Sequence, residues 1–180
     1  MAPTQEPDQD DVPERNAPGG RFADMWARPG FLIRRLHQIQ VGLFAEECGK
    51  FDITPVQFGF LTVLYEEGEL DQITLSAAVG VDRTSGADVI KRLARRGLLT
   101  RMPSTVDRRA KVVRITPEGH DLVEQIFPCM VRSQERFISP LSDAEQAQFN
   151  SLLTRLIEAN DSASRAPLRK DVWAAFPRSA

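Results

Sequence analysis

Between Val106 and Gly119 the chain reads VDRRAKVVRITPEG, which sets Arg108, Arg109 and Lys111 around the tip of a candidate hairpin, with Asp107 at its root. Cationic groups clustered in this way neutralise phosphate, and arginine in particular suits the narrow, negative minor groove of DNA. Asp107 would repel phosphate, so it is read as folding the turn or pairing with a neighbouring arginine. Upstream, DRTSGADVIKR holds a second set. Arg83 can pair with guanine in bidentate fashion, and Thr84 and Ser85 can reach bases or phosphates. Ala87 and Asp88 follow one step on, and Lys91 and Arg92 suit phosphate. From Asp82 to Thr116 ten basic residues stand against three acidic ones, a local charge of +7 in a chain of net charge −2. Such a concentration is the footprint of a polyanion partner.

Positioning these groups requires particular elements. Leu32, Leu36, Ile39 and Leu43 recur at helical spacing and predict a first helix over Pro29 to Cys48. TPVQ predicts a second helix capped by Thr54, with Pro55 at its first position and Gln57 closing a capping box, ending at Gly68. Thr74 can then cap a short helix through Val79, Gly80 can turn left-handed, and Asp82 can cap a helix running to about Arg96. Two short helices around a glycine-containing turn make a helix-turn-helix. LLTRMPS and KVVRIT read as strands, and Thr116 and Pro117 open a long helix that Pro128, lying inside it, should kink. A capping box from Ser142 to Glu145 starts the last helix. The order helix, helix, helix-turn-helix, β-hairpin, helix, helix is mainly α with a small β-hairpin wing: a winged helix-turn-helix over about 54–116, flanked by helices over about 29–48 and 117–160.

The remaining composition narrows the function. Residues 1–24 carry six acids against two bases and form an acidic tail expected to be disordered; residues 161–180 form a second tail, in which Val172, Trp173 and Phe176 are a small apolar motif. The main domain is expected over 25–160. The two cysteines, Cys48 and Cys129, have no disulfide-framework or metal-ligand spacing, and two histidines make no metal cluster. No cofactor, metal or catalytic site is expected, since no nucleophile–base pairing or phosphate-binding glycine loop is present. Without a signal peptide or an apolar run near membrane-spanning length, the chain is read as cytoplasmic and free of membrane.

From Leu75 to Gly119, the helix-turn-helix, LARRGLLTR and the wing pattern of Asp107, Arg109, Ile115, Thr116 and Gly119 resemble the MarR family of bacterial transcription regulators. The resemblance extends over about Pro29 to Asn160. It implies an obligate homodimer, joined by the first and the last two helices, that grips a pseudo-palindromic site on double-stranded DNA. It makes Arg109 the residue entering the minor groove, with Arg108 beside it. Asp88 departs from the basic or neutral residue common at that place; it could accept from a cytosine amino group or hold Arg83, Lys91 or Arg92. Gly86 weakens the same helix by up to about 1 kcal/mol relative to alanine.

The stretch RPGFLIRRLHQIQVGLFAEECGKFDITPVQ is similar to the branch of that family controlling breakdown of aromatic acids. The likeness implies a small aromatic effector, an acid or its CoA thioester, that loosens the grip on DNA. Ring surface plus a cation or donor is what such a ligand needs; Trp26, Phe31, Arg34, His37 and Phe58 are the candidates, with Arg35 and Phe60 nearby. Two alternatives compete with a ligand-released repressor: a thiol- or peroxide-switched regulator using Cys48, and a winged helix that binds protein. Glu46 and Glu47 should make Cys48 less reactive, and the +7 segment argues for nucleic acid.

Overall fold

The structure, a computed structural model, describes residues 23–103 and 111–167. The acidic tail, the Val172–Trp173–Phe176 motif and the wing tip with Asp107, Arg108 and Arg109 lie outside the described residues. Two compact units divide between Gln38 and Ile39. In the first, a 3-10 segment Ala23–Ala27 leads into helix α1 (Pro29–Cys48), whose residues from Ile39 on belong to the second unit, and Trp26 packs edge-to-face on Phe31 with ring centroids 4.7 Å apart. Leu32, Ile33 and Leu36 are exposed.

The second unit holds the rest. Helix α2 (Pro55–Glu67) starts with the capping box its sequence predicts: Gln57 N donates to Thr54 Oγ1 at 3.2 Å, and Thr54 N to Gln57 Oε1 at 3.0 Å. A three-residue strand β1 (Glu69–Asp71) follows, then α3 (Gln72–Ala78) and α4 (Arg83–Arg95). The start of α3 differs from expectation. Asp71, not Thr74, is the cap, its Oδ1 accepting from Ile73 N at 2.9 Å and Thr74 N at 3.0 Å. A carboxylate outcompetes a hydroxyl there, because it takes two amide donors and opposes the positive end of the helix dipole. Gly80 sits at φ 72 between α3 and α4, in the left-handed region where the turn requires it.

Strands β2 (Leu99–Pro103) and β3 (Lys111–Ile115) complete an antiparallel sheet in the order β1-β3-β2. Leu70, Val113 and Arg101 are cross-strand partners on one face; Glu69, Arg114 and Thr100 are partners on the other. Phe60, Leu61, Leu64, Leu75, Ile90, Leu93, Val113 and Ile126 are fully buried and form the core. Each such side chain contributes roughly 1.5–3 kcal/mol, so α2, α4 and β3 fix one another. Helix α5 (Pro117–Ile138) continues through Pro128. In α6 (Asp143–Asn160) no residue is buried, and Leu152, Leu156 and Ile157 stand exposed. Ser142 N and Oγ both donate to Glu145 Oε2, at 2.8 and 2.7 Å, to start it.

Candidate nucleic-acid interface and effector cavity

Helix α4 presents its first turn outward. Asp82 Oδ1 accepts from Thr84 N and Ser85 N, at 3.0 and 3.1 Å, and Oδ2 accepts from Ser85 Oγ at 2.7 Å. The Ser85 hydroxyl and amide hold the Asp82 carboxyl below the usual carboxylate range, so the cap stays charged. Ser85 thus spends its hydroxyl proton on the cap and keeps an oxygen free to accept. Arg83, Thr84, Ala87, Asp88 and Lys91 are exposed beside it. Among the described residues no ion pair joins Asp88 to Arg83, Lys91 or Arg92.

The back of α4 is fixed by close packing. A Cβ at Gly86 would meet Ser76 Oγ of α3 at 2.0 Å, so the residue that weakens the helix by itself is the one that lets the two helices cross. Three of the basic residues lie at the other end. Arg92, Arg95 and Arg96 border a depression of about 340 Å³ with Asp52, Thr54 and Gln57. Arg96 is structural: it donates to the carbonyls of Phe51, at 3.0 Å, and Asp52. Arg92 is 9 residues beyond Arg83 in chain order, about 13 Å along the helix axis. On the wing, Lys111 is exposed at the start of β3.

A second feature lies between α1, α2, α3 and α5. It is a cavity of about 320 Å³ walled by Gln40 and Phe44, by Phe58, Gly59, Thr62 and Val63, by Ala78 and Val79, and by Met130 and Gln134. Thr62 Oγ1 donates to Phe58 O at 3.0 Å. Phe58 is thus the one predicted ligand residue in this wall. Trp26, Phe31, Arg34 and His37 belong to the first unit, where Trp26, Arg34 and His37 are exposed and Phe31 is half-buried. Sequence reasoning passed over Gln40, Thr62, Val79, Met130 and Gln134. The signal was available in part: Gln40 with Phe44, Phe58 with Thr62, and Met130 with Gln134 are i, i+4 pairs, each on one helix face.

Below the cavity wall, α1 and α5 are tied electrostatically. Glu47 accepts from Arg136 Nη1 at 2.7 Å and from Arg132 Nε at 3.2 Å, and Glu46 from Arg136 Nη2 at 2.9 Å. The Arg136 and Arg132 hydrogen bonds hold the Glu47 carboxyl below its ordinary value. Next to this network the two cysteines, distant in sequence, lie close together, and Arg132 Nη2 donates to Cys129 Sγ at 3.2 Å. Both are free and buried. Burial first, then Cys129 and Glu47 beside it, push the Cys48 thiol up to about 11. A thiol so protonated is a poor nucleophile, which weighs against the thiol-switch alternative. Farther along the same helix, His120 stacks on Tyr65 at 4.2 Å, and Tyr65 OH donates to Glu124. Among the described residues no group of acids, cysteines and histidines could hold a metal ion, and no helix is long and apolar enough to cross a membrane.

Comparison with known proteins accords with this geometry. The MarR family profile matches residues 53–111. A putative transcriptional regulatory protein for the hcr operon of Thauera aromatica is 35% identical over 142 residues, which are 78% of this chain and 85% of that protein. The crystal structure of the PcaV transcriptional regulator of Streptomyces coelicolor with its natural ligand is 35% identical, with a TM-score of 0.72 over 76% of this chain and 96% of that one. BpsR of Bordetella bronchiseptica, whose DNA binding is regulated by 6-hydroxynicotinic acid, is 29% identical, with a TM-score of 0.70 over 73% of this chain and 94% of that one.

Proposed function

Because the chain belongs to the MarR family of transcriptional regulators, we infer that it is a homodimeric repressor released from a pseudo-palindromic operator by a small aromatic acid or its CoA thioester. The observation that carries this reading is the position of the cavity. Its wall includes Ala78 and Val79, the end of α3, and from there only the turn Gly80–Asp82 separates it from α4, the helix proposed to read the DNA. The same wall includes Met130 and Gln134 of α5 and Gln40 and Phe44 of α1. A ring bound there presses between the helices expected to join the dimer and the base of the DNA-reading motif. It therefore changes the placement of one against the other, which is the differential interaction an effector needs.

The chemistry of the wall supports a ring. Phe44 and Phe58 offer aromatic surface, Val63, Val79 and Met130 offer apolar surface, and the amides of Gln40 and Gln134 offer donors and acceptors. BpsR, regulated by 6-hydroxynicotinic acid, supports an aromatic acid as the class of effector, and the PcaV complex with its natural ligand supports a bound small molecule. Exposed Ile39, Phe127, Leu152, Leu156 and Ile157 support a second copy as the partner of α1, α5 and α6.

A thermal-shift screen of aromatic acids and their CoA thioesters, followed by DNA release with each hit, tests the reading. At a hundredfold excess over Kd a ligand adds about 2.7 kcal/mol, a rise of several degrees in Tm. A compound that gives this rise and frees the duplex supports the proposal. A protein that binds its duplex equally well with every hit present overturns the effector half of it.

A further inference from the structure

Arg101 belongs neither to the reading helix nor to the tip of the wing. It stands on β2 opposite Val113, so its side chain leaves the sheet on the same face as Val113 and Leu70. That face packs against the helix-turn-helix, yet Arg101 itself is exposed. Lys111, two residues before Val113 on β3, shares the face. Gln72, the first residue of α3, meets the arginine: with its carboxamide oxygen toward the strand, it accepts from Arg101 Nε and Nη2, each at 3.0 Å. Those bonds take donors from one edge of the guanidinium and leave the Nη1 donors to other partners.

The opposite face of the same sheet makes the contrast. There Arg114 is ion-paired with Glu69 at 2.5 Å, and its charge is cancelled. A staple needs nothing more than that. Arg101 is instead oriented by a neutral amide, which fixes the fork, and among the described residues no acid is ion-paired with it. On the helix-turn-helix side of the wing, next to Lys111, such a group is arranged for an anion. We propose that Arg101 is a further DNA-backbone contact, a phosphate ligand on the body of the wing, and that Gln72 is its positioning residue. The assignment rests on the DNA-binding reading above.

The test uses the full chain and a duplex that the wild type selects from a randomised pool, with affinity measured across a salt series. Arg101→Gln lowers the magnitude of the log Kd against log salt slope by about 1 and weakens binding roughly tenfold, alike for selected and unselected duplexes. Arg101→Lys keeps the slope. Gln72→Ala leaves the charge but loses its orientation: affinity falls a few-fold, the slope and Tm hold, and the double variant Q72A/R101Q binds no worse than R101Q. An R101Q protein with the wild-type slope overturns the phosphate contact, whether or not its melting temperature falls. Additive losses in the double variant, or Q72A at wild-type affinity, overturn the role of Gln72. A wild type whose duplex binding ignores salt overturns both this assignment and the DNA-binding reading.

Discussion

Ser76 and Gly86 are packed so closely that a Cβ on the glycine would stand 2.0 Å from the serine Oγ and 2.7 Å from its Cβ. Ser76 cannot easily yield. It is 3% exposed, and its Oγ donates to the carbonyl of Gln72 at 2.7 Å. Helix propensity alone favours Gly86→Ala by about 1 kcal/mol, whereas overpacking costs about 1–3 kcal/mol. The crossing decides: Gly86→Ala should lower Tm, and Ser76→Gly in the same chain should restore part of the loss. A Gly86→Ala protein melting above the wild type would show that the two helices separate easily.

The reading helix makes a graded prediction. Arg83→Ala should relax sequence preference, with a loss of about 1–3 kcal/mol on the preferred duplex and little on others. Lys91→Ala should weaken all duplexes alike and lower the salt slope by about 1. Arg109→Ala, in the wing tip, should weaken binding without disturbing folding. Competition between matched and scrambled duplexes separates these outcomes. Uniform losses for both Arg83→Ala and Lys91→Ala would remove Arg83 from the base-reading role.

The tie between α1 and α5 should show in acid. Glu47 sits below its ordinary value of 4.5, held there by Arg136 and Arg132. Its contribution is therefore complete above about pH 4.5 and fades as pH falls through the lowered value in the folded protein. Tm measured from neutral pH down to pH 3 should drop more steeply for the wild type than for Glu47→Gln. Parallel curves would mean that the pair adds nothing measurable, as many exposed ion pairs do.

Cys48 predicts the opposite limb. Its thiol is raised from 9.0 to about 11, so the stability it contributes is complete below about pH 9 and lost as pH rises through 11. At neutral pH, iodoacetamide should label Cys48 slowly in the folded protein and fast in denaturant. Peroxide should leave DNA affinity unchanged. Rapid labelling of the native chain, with affinity falling in step, would restore the thiol switch.

Much of the scaffold is legible in the sequence, because its signals are local. Thr54 with Gln57, Asp82, Thr116 with Pro117, and Ser142 with Glu145 each announce a helix start within a few residues. The start of α3 was misplaced because Asp71 and Thr74 both have capping side chains, and both take part: Thr74 Oγ1 donates to Asp71 Oδ2. Strand β1 was missed because three residues carry no period; only its pairing with β3 makes it a strand. The cavity was legible least. Its wall joins four helices, and which faces meet is decided by tertiary packing that helical spacing does not contain. Gly86 was read as a defect for the same reason, since the cost of a missing side chain is local and the benefit lies across an interface.

Asp71 is the last residue of β1 and also the cap of α3. No linker separates sheet from helix, so β1 and α3 are joined at a single residue. Under the proposed release, a push delivered at the end of α3 is carried through that joint into the sheet. Detachment from two grooves would then be a single concerted event, with no half-released state in which one element lets go before the other.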